Sequence, residues 1–155
     1  MSNNRINTTI SEENMQAITK SFRDIKEKLS FGVNLTDSEK QSLLKLSDKN
    51  RMFLRKVLEA INRHPDIVPN RFNVEELKND VELHFQLANL LQESRLLTEL
   101  LEDSYRLAGS EAYAGSLVAY KYLQAANVST GELDAELDEL GKLFTRKLPT
   151  PTKTQ

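Results

Sequence analysis

Between Pro69 and Gly109 the chain holds neither glycine nor proline. That one stretch limits the fold more than anything else in the sequence, because it offers no natural place to break a helix. Asn73-Val-Glu-Glu76 has the spacing of a helix start. Behind it Leu77, Val81, Phe85 or His84, Ala88, Leu91, Leu97 or Thr98, and Leu101 recur with a helical period. The expectation is a helix from Val74 to Leu107, about 51 Å long at 1.5 Å per residue. One short neighbour cannot cover such an element, so the other helices should pack against it. Gly109-Ser110 reads as a stop followed by a cap, with a kinked continuation as the alternative.

Further helices are written on either side of this spine. Ser11 precedes Met15, Ile18, Phe22, Ile25 and Leu29, spaced by three and four, and Phe31-Gly32 closes that helix. Thr36-Asp-Ser-Glu39 has capping-box spacing and should open a short helix carrying Leu43, Leu44 and Leu46. Ser47 or Asp48 should cap a third, with Phe53, Val57, Leu58 and Ile61 facing inward. His64 to Phe72 holds two prolines and reads as a loop. After Gly109 a helix is expected from Glu111 to Ala126, then a turn over Asn127 to Thr130. A last helix places Leu133, Leu137, Leu140 and Phe144 inward, with acids early and Lys142, Arg146 and Lys147 late, as the helix dipole favours.

No segment alternates long enough to read as a strand, and Gly and Pro total only nine. The fold class is therefore all-α, a helical bundle of five or six helices around a long central helix. The expected organisation is a flexible N-terminus over 1–10, a single helical-bundle domain over 11–147 and a disordered tail over 148–155. With 39% hydrophobic residues in 155, one domain of this size should bury roughly 70% of its unfolded surface. Met1 to Ile6 is polar with no apolar core, so no secretory signal is expected. No run approaches the roughly 18 apolar residues of a membrane span, and a cytoplasmic location is the expectation.

Four short phrases carry a resemblance. Leu35-Thr-Asp-Ser-Glu39, Asp48-Lys-Asn-Arg51, His64-Pro-Asp-Ile-Val-Pro69 and Ala108-Gly-Ser-Glu-Ala-Tyr113 resemble a family of uncharacterised bacterial helical proteins. The resemblance implies an all-helical bacterial protein of the cytoplasm. It implies no activity, cofactor or site.

Zero cysteines remove disulfides, thiol chemistry and zinc fingers. A dinuclear metal site in a bundle needs two Glu-x-x-His pairs, yet Val81 precedes His84 at that spacing and Ile61 precedes His64. Glu76, Asp80 and His84 share one helical face, and a solvated strip is the simpler reading. No phosphate loop, nucleophile elbow or dinucleotide motif occurs. The expectation is no catalytic residue, no metal and no cofactor. An enzyme or small-ligand binder would need a pocket near His84 assembled with Tyr113 and Tyr120.

Lys45 to Arg63 carries six basic residues against two acidic ones, with Lys49, Arg51, Arg55 and Lys56 forming a basic patch. Nucleic acid is one reading of this helix, but the whole chain has a net charge of −2, and nucleic-acid binders usually carry a basic excess. Glu75 to Glu111 holds nine acids against three bases, so surface ion pairs within the chain are the preferred partners of the strip.

The most unusual composition lies between Ala108 and Tyr122. Ala108, Ala112, Gly115 and Ala119 form a seam of small residues at spacings of four, three and four, with Tyr105, Tyr113, Tyr120 and Tyr122 around it. Small residues let backbones approach closely, and tyrosines are enriched at interface cores. Close packing against the long helix within the chain is the simpler reading. The sharper one is an interface over Ala112, Tyr113, Gly115, Ala119 and Tyr120. By elimination, the expected function is a non-enzymatic structural or protein-interaction module. Its expected partner is itself, as a homo-oligomer, or another protein, and not a membrane.

Overall fold

The computed structural model describes residues 5–144, with the backbone alone for Phe144. The elements are α1 (Glu12–Lys28), α2 (Asp37–Ser42), a 3₁₀ turn (Asp48–Asn50), α3 (Arg51–Arg63), a second 3₁₀ turn (Pro65–Ile67), α4 (Val74–Thr130) and α5 (Asp134–Phe144). No strand occurs among the described residues, so the fold class is all-α with a long central helix. No helix among them is long and apolar enough to cross a membrane. The Leu148–Gln155 tail, Arg146, Lys147 and the Phe144 side chain lie outside the described residues.

The chain divides into two units, one spanning Thr8–Thr98 and the other joining the segment up to Asn7 with the residues from Glu99 onward. In the first unit the helix starts follow from local chemistry. Ser11 Oγ accepts a hydrogen bond from the Asn14 amide at 3.2 Å, satisfying one orphan donor at the N-terminus of α1. Thr36 and Glu39 form a reciprocal capping box, the Thr36 amide donating to Glu39 Oε2 at 2.7 Å and the Glu39 amide donating to Thr36 Oγ1 at 3.3 Å. These bonds hold the Glu39 carboxyl below its ordinary pKa, the Thr36 amide contributing most and its hydroxyl next. The α2 helix is shorter than expected. It ends at Ser42, Leu43 turns extended, and Leu44 is fully exposed.

Only one corner of this unit is filled. Leu54, Val57, Leu58 and Ile61 of α3 are half-buried, as are Leu77, His84, Phe85 and Ala88 of α4, and Val81 is buried at 6% exposure. Phe53, expected inward, is 65% exposed. Leu54, Val57, Leu58 and Ile61 complete the i, i+3, i+4, i+7 set, which leaves Phe53 at its edge. Neither Ser47 nor Asp48 caps α3. The 3₁₀ turn intervenes, and Asn50 stands at the N-cap without a side-chain bond.

In the second unit α4 continues to Thr130, so the expected stop at Gly109-Ser110 and the expected turn over Asn127–Thr130 are both overturned. A glycine inside a helix costs about 1 kcal/mol relative to alanine, which helix-forming neighbours on both sides absorb. The helix stops at Gly131 instead, which takes the left-handed conformation common at helix C-termini (φ +66°) and is the only described residue with positive φ. The Gly131 amide donates to the Asn127 carbonyl at 2.8 Å. Asn127 Oδ1 accepts from the Leu133 amide at 2.8 Å, and its Nδ2 donates to Asp134 Oδ1 at 2.6 Å. One side chain thus fixes the turn into α5, where half-buried Leu133, Leu137 and Leu140 share an open concavity with Leu123.

Candidate functional site

Two groups of residues are candidates: the basic corner of α3 with α4, and the small-residue seam of α4. At the corner, Lys49 lies in the first 3₁₀ turn, while Arg51, Arg55 and Lys56 lie on α3. The two arginines converge on one aromatic ring. The Arg55 guanidinium carbon stands 4.0 Å from the Phe85 ring centroid and that of Arg51 stands 5.1 Å from it. Each such contact is worth about 0.5–2 kcal/mol, more where water is excluded. His84 meets the same ring edge-on, with centroids 5.5 Å apart and planes at 76°. Lys56 pairs with Glu59 one turn along its own helix.

The expected neutralisation of this strip by carboxylates of the long helix does not occur. Among the described residues no basic side chain of α3 forms an ion pair with α4; the ion pairs run i to i+3 or i+4 within single helices and are exposed. The cations find a π-face instead of a carboxylate. Sequence reasoning overlooked this because it counted charges. The available signal was an aromatic residue, Phe85, on the acidic helix.

The corner holds little that could do chemistry. His84 Nε2 and Arg51 Nε are enclosed without a hydrogen-bond partner. Among the described residues no group of three or more His, Asp or Glu side chains is placed to hold a metal ion, so Glu76, Asp80 and His84 do not converge. A concavity of about 330 Å³ beside the corner is lined by Arg55, Glu59, Glu75, Lys78 and Phe85 among others, and His84 is not on its wall.

The seam stands on α4 itself. Ala108, Ala112, Gly115 and Ala119 are all exposed, and a Cβ built on Gly115 would meet nothing within 4 Å. The simpler sequence reading, in which the seam packs against the long helix, fails because the seam belongs to that helix. Tyr105, Tyr113 and Tyr122 are exposed, and Tyr120 is half-buried. Nearby, the Glu111 carboxylate accepts the backbone amides of Arg5 at 2.6 Å and Ile6 at 3.4 Å, drawing the N-terminal segment onto α4 in this unit.

Upstream on α4, seven leucines from Leu87 to Leu101 are 39–63% exposed. On α1, Met15, Ile18, Phe22 and Ile25 are 42–51% exposed. Each helix carries the apolar pattern of a packed element without a packed neighbour. No protein-family model matches the chain, and neither does any curated protein or solved structure, so the bacterial helical resemblance carries no assignment.

Proposed function

We propose that this chain is a non-enzymatic helical interaction module whose interior is completed by further copies of itself. The observation that carries the reading is burial. Val81 is the only buried apolar side chain among the described residues. Met15, Ile18, Phe22 and Ile25 of α1 and Leu90, Leu97 and Leu101 of α4 are 42–51% exposed. Contiguous exposed apolar surface beyond a few hundred Å² marks an interaction site. Self-association is favoured over a foreign partner because every major helix carries the deficit, and a single added partner face would leave most of it unmet.

Light scattering with sedimentation of the full chain tests the reading. Oligomers at micromolar concentration, with a Tm that rises with concentration, are expected. A cooperatively folded monomer at high concentration would overturn it.

A further inference from the structure

We propose that the N-terminal segment is a splint that holds α4 continuous across Gly109, and that drawing the segment away gives the helix a joint there. Every residue involved lies in the second unit, and self-association plays no part. Packing does not explain Gly109. It stands inside α4, a Cβ built on it would meet nothing within 4 Å, and its φ is not positive. Neither close approach nor backbone conformation calls for a glycine at this point. Its effect is to weaken the helix locally, since glycine regains more chain freedom on opening than any other residue.

The N-terminal segment is laid over that weak point. Glu111, just beyond Gly109, takes the Arg5 amide on Oε1 at 2.6 Å and the Ile6 amide on Oε2 at 3.4 Å. On the other side of the glycine, Arg5 and Ile6 share one open concavity with Asp103, Ser104, Arg106 and Leu107. Ser104, Leu107 and Glu111 are half-buried, whereas residues 99–103, 105–106, 108–110 and 112–116 are exposed. Positions i, i+3 and i+7 share one side of a helix, and Ile6, itself half-buried, sits on that side. The segment is thus seated on α4 both before and after Gly109.

In a continuous helix the amides of residues 110–113 donate to the carbonyls of residues 106–109, across the glycine. Bending at Gly109 breaks some of those bonds. With the segment in place it must also part Glu111 from two main-chain amides, or Ile6 from the turn that holds Leu107. Hydrogen bonds to an ionised acceptor are the stronger kind, so the segment raises the cost of opening. The contact is also one that can be undone, because the carboxylate reads main-chain amides and one aliphatic side chain accompanies them. Gly115 serves as an internal control. It too lies inside α4 with nothing within 4 Å of an added Cβ, and it stands a full turn beyond Glu111, outside the stretch that the two bonds and the concavity span.

Hydrogen exchange of the full chain, followed amide by amide, tests the splint. Arg5→Pro removes the amide of the shorter bond and leaves α4 untouched. Glu111→Ala removes the acceptor and puts the best helix former in its place. Each should speed exchange at residues 110–113 roughly five-fold, the worth of about one net hydrogen bond, and leave residues 116–119 unchanged. Gly109→Ala should slow exchange at residues 110–113 roughly five-fold, and in that background Arg5→Pro should change it by less than about two-fold. The variants are compared at one concentration with sedimentation alongside, so a change in assembly is read separately. Unchanged exchange at residues 110–113 in both segment-releasing variants overturns the inference. Equal acceleration at both stretches means general loosening and overturns it too, as does an Arg5→Pro effect that persists undiminished in the Gly109→Ala background.

Discussion

Two stretches of α4 carry much the same apolar content and meet opposite fates. From Leu77 to Ala88 the helix faces the half-buried stripe of α3; Val81 is covered and two guanidiniums close over Phe85. From Leu90 to Ala119 an equally patterned face is left open. Helix propensity does not separate the two, because both are helical. The difference is the presence of a neighbour, which supplies about 25 cal/mol for each Å² of apolar surface removed from water. A helical period identifies a face to be buried, and says nothing of which chain buries it.

Substitutions at the two stretches should therefore read out differently. The largest effect is expected from Leu97→Glu, which sets a charge on the open apolar face of α4. Assembly should be lost by sedimentation, and the melting transition should broaden with it. Val81→Ala should lower stability by roughly 1–3 kcal/mol in denaturant melts, since it hollows the one filled corner. A Cβ at Gly115 meets nothing within 4 Å, so helicity should hold by circular dichroism in Gly115→Leu. Association should weaken by about ten-fold, equivalent to 1.4 kcal/mol, through overpacking between copies. Unchanged affinity would place the interface elsewhere. Phe85→Leu keeps apolar bulk but removes the π-face, and about 1 kcal/mol of stability should go with it. The smallest effect is expected at Glu39. Its pKa is lowered in the folded chain, so its contribution is present above the unfolded carboxylate value and is lost as pH falls through the folded one. Protection of the α2 amides in hydrogen exchange should decline over that acidic window, and Glu39→Gln should flatten the decline.

The parts of the fold legible in the sequence are those decided within a few residues. Ser11, Thr36 and Asn73 each cap their helix through a bond to an amide three positions on, which is why spacing alone locates them. Gly109 misled because a glycine is permissive rather than terminating. The stop at Gly131 additionally uses positive φ and the two bonds of Asn127 and its neighbours. The place of Phe53 depended on a shift of one residue in where the α3 stripe begins. At the candidate site, the residues of the seam were legible and their surroundings were not, since exposure is a property of what else packs there. The stacking of Arg51 and Arg55 on Phe85 needed three-dimensional proximity between two helices.

That Val81 is the only buried side chain among the described residues also bears on dosage. On the reading proposed above, each ten-fold dilution removes about 1.4 kcal/mol from a dimer's apparent stability. Scarce copies would stay loosened and open to proteases, while abundant copies would shelter one another, so the cellular level of the chain would set its own lifetime.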